Sequence, residues 1–152
     1  NLINVKGNIE NINIQNSFMD GLDVDFSNLK INRANIINSK NDCLDLSFGE
    51  YKLGEINLSN CGDKGLSVGE KSFVQLDDIK VKNSNIGIAS KDSSIIKLNS
   101  ATMKNLKICV AAYNKKQEFY GGFLKIKNID CKNYNEKVKA DNYSKIIVEN
   151  EL

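Results

Sequence analysis

Asp20, Asp23, Asp42 and Asp45 are the residues best suited to chemistry, because Asp20 and Asp42, and again Asp23 and Asp45, stand 22 positions apart. Paired carboxylates can protonate a leaving oxygen and activate water across a glycosidic bond, or they can hold a hard cation such as calcium. Lys64 follows Asp42 by the same step, and Tyr113 follows Lys91 by it. These seven side chains are the candidate ligand contacts, with Asp23 and Asp45 the pair that would take calcium. Other chemistries are closed. The 152 residues include no His, which removes imidazole bases, serine–histidine triads and His-ligated zinc. Cys43, Cys61, Cys109 and Cys131 have no C-x-x-C spacing and so write neither a zinc ribbon nor a thioredoxin-type site. They are expected as free, partly buried thiols, with one disulfide as the alternative.

A constant step gathers these groups on one face only if the chain itself repeats. It does. Leu22, Leu44, Leu66, Ile88 and Val110 are each 22 apart, and each opens a short alternating apolar segment behind a small residue, Gly21, Cys43, Gly65, Gly87 or Cys109. A second phrase, apolar-x-x-apolar-x-apolar-x-Asn, recurs six times and ends at Asn16, Asn38, Asn60, Asn83, Asn105 and Asn133. The steps between these asparagines are 22, 22, 23, 22 and 28, so an inserted loop of about six residues is expected near 114–122.

Short alternating segments at this period, without helical periodicity, predict an all-β fold: a single-stranded right-handed parallel β-helix of about six to seven coils, each about 4.8 Å from the next. Equivalent residues then stack in columns. The asparagines become an amide ladder and the apolar columns the core, with Leu29, Tyr51, Phe73 and Ile95 as a third inward face. Between the inward residues lie outward columns, Asp23/Asp45/Ser67/Ala89/Ala111 and Asp25/Ser47/Gly69/Lys91/Tyr113. Carboxylates on adjacent rungs repel, which should raise at least one carboxyl pKa.

The turns beside those strands read Met19/Asp20/Gly21/Leu22/Asp23, Asn41/Asp42/Cys43/Leu44, Asp63/Lys64/Gly65/Leu66/Ser67/Val68/Gly69 and Ala89/Ser90/Lys91. In this order, and about one coil apart, they resemble the polygalacturonase motifs N-T-D-G-I-D, D-D-C-I, G-H-G-L-S-I-G and R-I-K. The resemblance covers about residues 18–91. It implies a glycoside hydrolase acting through Asp20 and Asp42, with Lys91 retained. Asn41 replaces the first Asp of the pair, Lys64 the His and Ala89 the Arg. The chain is also similar more broadly to pectate-lyase-like β-helix repeats of carbohydrate-active and cell-surface proteins. That likeness implies a non-catalytic module for scaffolding, adhesion or carbohydrate recognition in an exported or envelope-associated protein.

The 23 Asn and 18 Ile suit neither a helix bundle nor a disordered tail. A net charge of +2 gives no field for nucleic acid. The charge is nevertheless uneven: residues 1–70 carry 6 basic and 10 acidic side chains, and residues 71–152 carry 15 and 9. Head-to-tail homo-oligomers through the coil ends are one consequence of such polarity. No apolar run reaches membrane-span length. With Asn1 first, no leader pattern and no capping segment, residues 1–152 are expected to be one domain taken from a longer chain, whose further coils or domains would cover its ends.

Overall fold

Because the apolar residues alternate within each 22-residue unit, no single unit can bury its own inner face, and burial requires a copy stacked above and below. In a computed structural model that describes all 152 residues, the chain satisfies this as a parallel β-solenoid of about seven turns with no helix. The strands are β1 (Leu2–Ile3), β2 (Lys6–Ser17), β3 (Leu22–Asp25), β4 (Asn28–Ser39), β5 (Leu44–Ser47) and β6 (Glu50–Cys61). They continue as β7 (Lys64–Gly69), β8 (Phe73–Lys91), β9 (Ile95–Tyr113), β10 (Phe123–Ala140) and β11 (Lys145–Glu151). Each coil is a long strand, a corner, a short strand and a second corner. From β8 onward the long and short strands run on as one.

All pairings are parallel and follow the repeat. Leu22 lies beside Leu44, then Leu66, Ile88, Val110 and Val138. Between Tyr113 and Phe123 lies the expected insertion. The apolar columns merge into one core of 32 buried residues, with Val24, Ile31, Leu44, Leu66, Ile88 and Val110 fully enclosed. Ile9, Ile12 and Ile14 in the first coil, and Ile146 and Val148 in the last, are only partly covered. No helix is long and apolar enough to cross a membrane.

The third inward face corrects the sequence reading. Tyr51 lies beside Val74, not Phe73, so the column is Leu29/Tyr51/Val74/Ile96/Leu124, while Phe73 and Ile95 point outward. The 23-residue step places its extra residue in the corner at Glu70 and Lys71, both with positive φ, and that shifts the register by one. Phe73 instead carries the Lys97 ammonium 5.5 Å from its ring centroid.

The asparagine ladder is present and exposed. Asn38 Nδ2 donates to Asn16 Oδ1 at 3.0 Å, and Asn60, Asn83, Asn105 and Asn133 continue the series at 2.8, 2.8, 2.9 and 3.1 Å. A second requirement selects the same residue: all six have φ between 55° and 61°, the left-handed region that Asn tolerates better than other side chains.

The cysteines also depart from expectation: none is free, and they form two disulfides, Cys43–Cys61 and Cys109–Cys131. Both join one coil to the next. The reason is packing at the small column. A Cβ on Gly65 would meet Val81, and one on Gly87 would meet Met103, each from the following coil. Cys131 stands in the Val81/Met103 column, beside Met103, so Cys109 faces a sulfur where its equivalents face apolar side chains.

Candidate functional site

Along one face, β3, β5 and β7 are followed in register by the ends of β8 and β9, which aligns the outward columns along that face. Asp23 lies beside Asp45, Asp45 beside Ser67, Ser67 beside Ala89, and Ala89 beside Ala111. Lys91 lies beside Tyr113, and its aliphatic chain folds back over the Cβ-free face of Gly69. The repeat therefore brings Asp23, Asp45, Lys91 and Tyr113 onto one surface, with Asp20, Asp42 and Lys64 along one rim.

That rim has a structural task. Asp20 Oδ1 accepts hydrogen bonds from the Asp42 N–H at 2.9 Å and from Asn41 Nδ2 at 2.8 Å. One coil on, Asp42 Oδ1 accepts the Lys64 N–H at 2.9 Å and lies 3.4 Å from the Lys64 ammonium. The ammonium also binds Asp63. Each Asp thus holds the backbone of its own equivalent in the next coil. Burial pushes the Asp42 carboxyl above its ordinary range, with Lys64 opposing. Burial alone would lower the Lys64 pKa, but the Asp63 hydrogen bond and the Asp42 charge outweigh it and hold the ammonium above its usual value.

The opposite rim is a corner column that repeats every 22 residues through Asn4, Phe26, Phe48, Glu70 and Asp92, all with φ between 44° and 56°. Asn and Asp fit this backbone, whereas a bulky ring there is an outlier. Phe26 and Phe48 remain 57% and 39% exposed. Their rings stack at 4.7 Å with an interplanar angle of 6°, and Phe119 meets Phe48 edge-on at 6.2 Å. Phe119 belongs to the inserted loop, which folds back along the solenoid axis. The Lys115 and Lys116 N–H groups donate to Asp92 Oδ1, and the Lys116 ammonium lies 2.5 Å from Glu70. Burial would raise the Glu70 pKa, but the hydrogen bonds from Lys116 and Ser47 hold it below the usual value. Tyr120 is exposed and pairs through its backbone with Ser93.

The face is electrostatically unfinished. Asp23 is pushed up to about 6, first by burial and then by the charges of Asp25, Asp45 and Asp20. Burial raises Asp45 as well, with Lys91 opposing it. The Ser67 hydroxyl, fully buried and in register with Asp45, also opposes this rise by hydrogen bonding to the carboxylate, and the Lys91 ammonium makes no ion pair although the residue is only 6% exposed. Burial also lifts the Tyr113 hydroxyl, against the Lys64 charge. Tyr113 also borders an apolar hollow of about 260 Å³ between Ile86, Ile108, Ala112 and Ala140. A wider depression of about 440 Å³ runs beside the asparagine ladder. Its amides are already paired with one another, and Ser39 Oγ, buried without a partner, lies against Gly21.

Asp23 and Asp45, the expected calcium pair, are in register, and no third Asp, Glu or Cys side chain joins them as a candidate ligand. Sequence reasoning overlooked the exposed Phe26 and Phe48 beside these residues. The same 22-residue step that exposed the aspartates also places these two. No protein-family model matches the chain, and comparison with curated proteins and with solved structures gives no match.

Proposed function

We propose that this solenoid is a non-catalytic carbohydrate-binding module whose sugar site is the face carrying Asp23, Asp45 and the Phe26–Phe48 stack. The observation that carries this reading is the exposed, stacked Phe26–Phe48 pair at the corner next to the strands that carry Asp23 and Asp45. Sugar hydroxyls would donate to the partly exposed Asp23 carboxylate. The aromatic faces would take the C–H face of a pyranose ring. Hydrolysis is disfavoured because a glycosidase needs two carboxyl groups free to act on a glycosidic bond. Asp20 and Asp42 instead spend Oδ1 on backbone amides of the next coil, and Asp42 is paired with Lys64. Two disulfides suit an oxidising compartment, which supports an exported or envelope-associated setting.

Calorimetric titration with neutral, uronic-acid and amino oligosaccharides tests the reading. Binding should weaken in Phe26→Ala and Phe48→Ala, and the sugar should be recovered uncut. Absence of binding to every sugar would refute it. Release of reducing ends that is lost in both Asp20→Asn and Asp42→Asn would replace it with a hydrolase.

A further inference from the structure

We propose that a lysine column across β8, β9 and β10 is a docking surface for an acidic polysaccharide, a linear chain of uronic-acid sugars laid along the solenoid axis. Lys82 lies beside Lys104, and Lys104 beside Lys132, so three ammonium-bearing side chains leave consecutive rungs about 4.8 Å apart. All three are exposed. Neither Lys82 nor Lys104 makes an ion pair, and Lys132 has Asp130 alone, at 3.2 Å. Like charges directly opposite one another on neighbouring strands destabilise a sheet. The chain leaves that repulsion standing, and a row of carboxylates would relieve it.

The repeat does not itself call for lysine here. In the first three coils the same column reads Gln15, Ile37 and Ser59, so its charge is confined to the later coils. Each of the three lysines is followed by a ladder asparagine, Asn83, Asn105 or Asn133. Each of those amides donates one N–H along the ladder, to Asn60, Asn83 and Asn105 in turn. A primary amide has two, so every rung offers a ligand oxygen an ammonium beside an amide donor. Lys80, exposed on the same side of β8 as Lys82, widens the surface, and with Asn57 and Ser59 these two lysines border a depression of about 140 Å³.

The other lysine-rich column, Lys30/Lys52/Gln75/Lys97/Lys125, forms no comparable run. Gln75 interrupts it, and Lys97 and Lys125 are engaged by Phe73 and Glu149. A uronate chain suits the Lys82 column because it carries one carboxylate per sugar in a single line, with hydroxyls between them for the amides. A nucleic-acid strand would call for aromatic rings to stack its bases, and the column itself supplies none. This surface lies at the ladder corner, whereas Phe26 and Phe48 stand at the corner after the short strands, so the two readings are independent.

The test titrates the full chain at about 50 mM salt with a hexamer of β-1,4-linked glucuronate, its carboxyl-reduced counterpart (a glucose hexamer) and hexathymidylate. The glucuronate hexamer should bind about ten-fold or more tightly than the glucose hexamer, and about ten-fold or more weakly once salt reaches about 200 mM. Replacing both Lys82→Gln and Lys104→Gln should lower its affinity about ten-fold with the cooperative melt retained, since Gln already occupies this column at Gln15. No binding of the glucuronate hexamer, equal binding of the two hexamers, or an affinity unmoved in the double variant would overturn the inference and leave the aromatic-face reading untouched. Glucuronate binding that is lost in Phe48→Ala and kept in the lysine variant would overturn it by moving the acidic sugar to the aromatic face. Tighter binding of hexathymidylate would overturn it in favour of a nucleic acid.

Discussion

Replacing Asp23 by Asn should make the protein more stable at neutral pH, against the usual direction for a substitution at a candidate site. The Asp23 carboxyl is lifted from the usual 3.8 to about 6, by burial first and then by Asp25, Asp45 and Asp20. The folded state therefore holds the proton more tightly than the unfolded chain. Stability from this group is fully present below the unfolded value of 3.8 and is lost as pH rises through about 6. Taken at face value the displacement corresponds to about 3 kcal/mol against the charged form. Asp23 is only partly buried, and solvent screening reduces this to about 1 kcal/mol. Asn keeps the shape and removes the charge, so Asp23→Asn should gain about 1 kcal/mol at about pH 7.5, or about 3 °C in Tm for a chain of this length. At about pH 3.5 the gain should vanish, and at neutral pH high salt should shrink it. Paired thermal melts at the two pH values measure both. An unchanged or lower Tm at neutral pH, or an equal gain in acid, would refute the crowded-carboxylate account.

Leu44→Asp, which sets a carboxylate between Leu22 and Leu66, should abolish the cooperative melt, because its cost of several kcal/mol rivals the whole stability of such a domain. A folded variant at neutral pH would disprove the inward register. Non-reducing peptide mapping should recover Cys43–Cys61 and Cys109–Cys131, and each bridge should contribute about 3 kcal/mol by loop closure. Alkylation of any native thiol would contradict the pairing. Asn60→Ala should cost about 2–3 kcal/mol by losing ladder bonds and straining a left-handed backbone, whereas Asn60→Gly should cost about 1 kcal/mol. Equal losses in the two variants would show that backbone conformation contributes nothing.

The fold was legible because its repeat is written in side chains that must be identical in role: Leu22, Leu44 and Leu66 can be aligned by counting. Counting failed at Phe73, where the step grows by one inside the Glu70–Lys71 corner, which carries no apolar marker. The 18-residue separation of Cys43 and Cys61 is not a multiple of the repeat, so their contact across a corner needed coordinates. Cys109–Cys131 was closer to readable, since it occupies a contact that Gly65–Val81 and Gly87–Met103 make elsewhere. At the site, the sequence located Asp20 and Asp42 but not their task, because acceptance of a neighbouring coil's N–H depends on the turn backbone. It passed over Phe26 and Phe48 because an exposed aromatic residue at a corner has no signature apart from the step itself.

The two inter-coil bridges also give the solenoid a mechanical grading. A chain pulled from its ends would unwind a turn at a time, each released residue adding about 3.4 Å of length. Cys43–Cys61 and Cys109–Cys131 withhold spans of 18 and 22 residues from that extension, about 140 Å in all. Under oxidising conditions the unravelled chain would stop short by that amount, and a reductant would return it. The face that carries Asp23 and Asp45 lies beside the first of these fasteners. A ligand tugging on that face would load a coil that cannot slip from its neighbour.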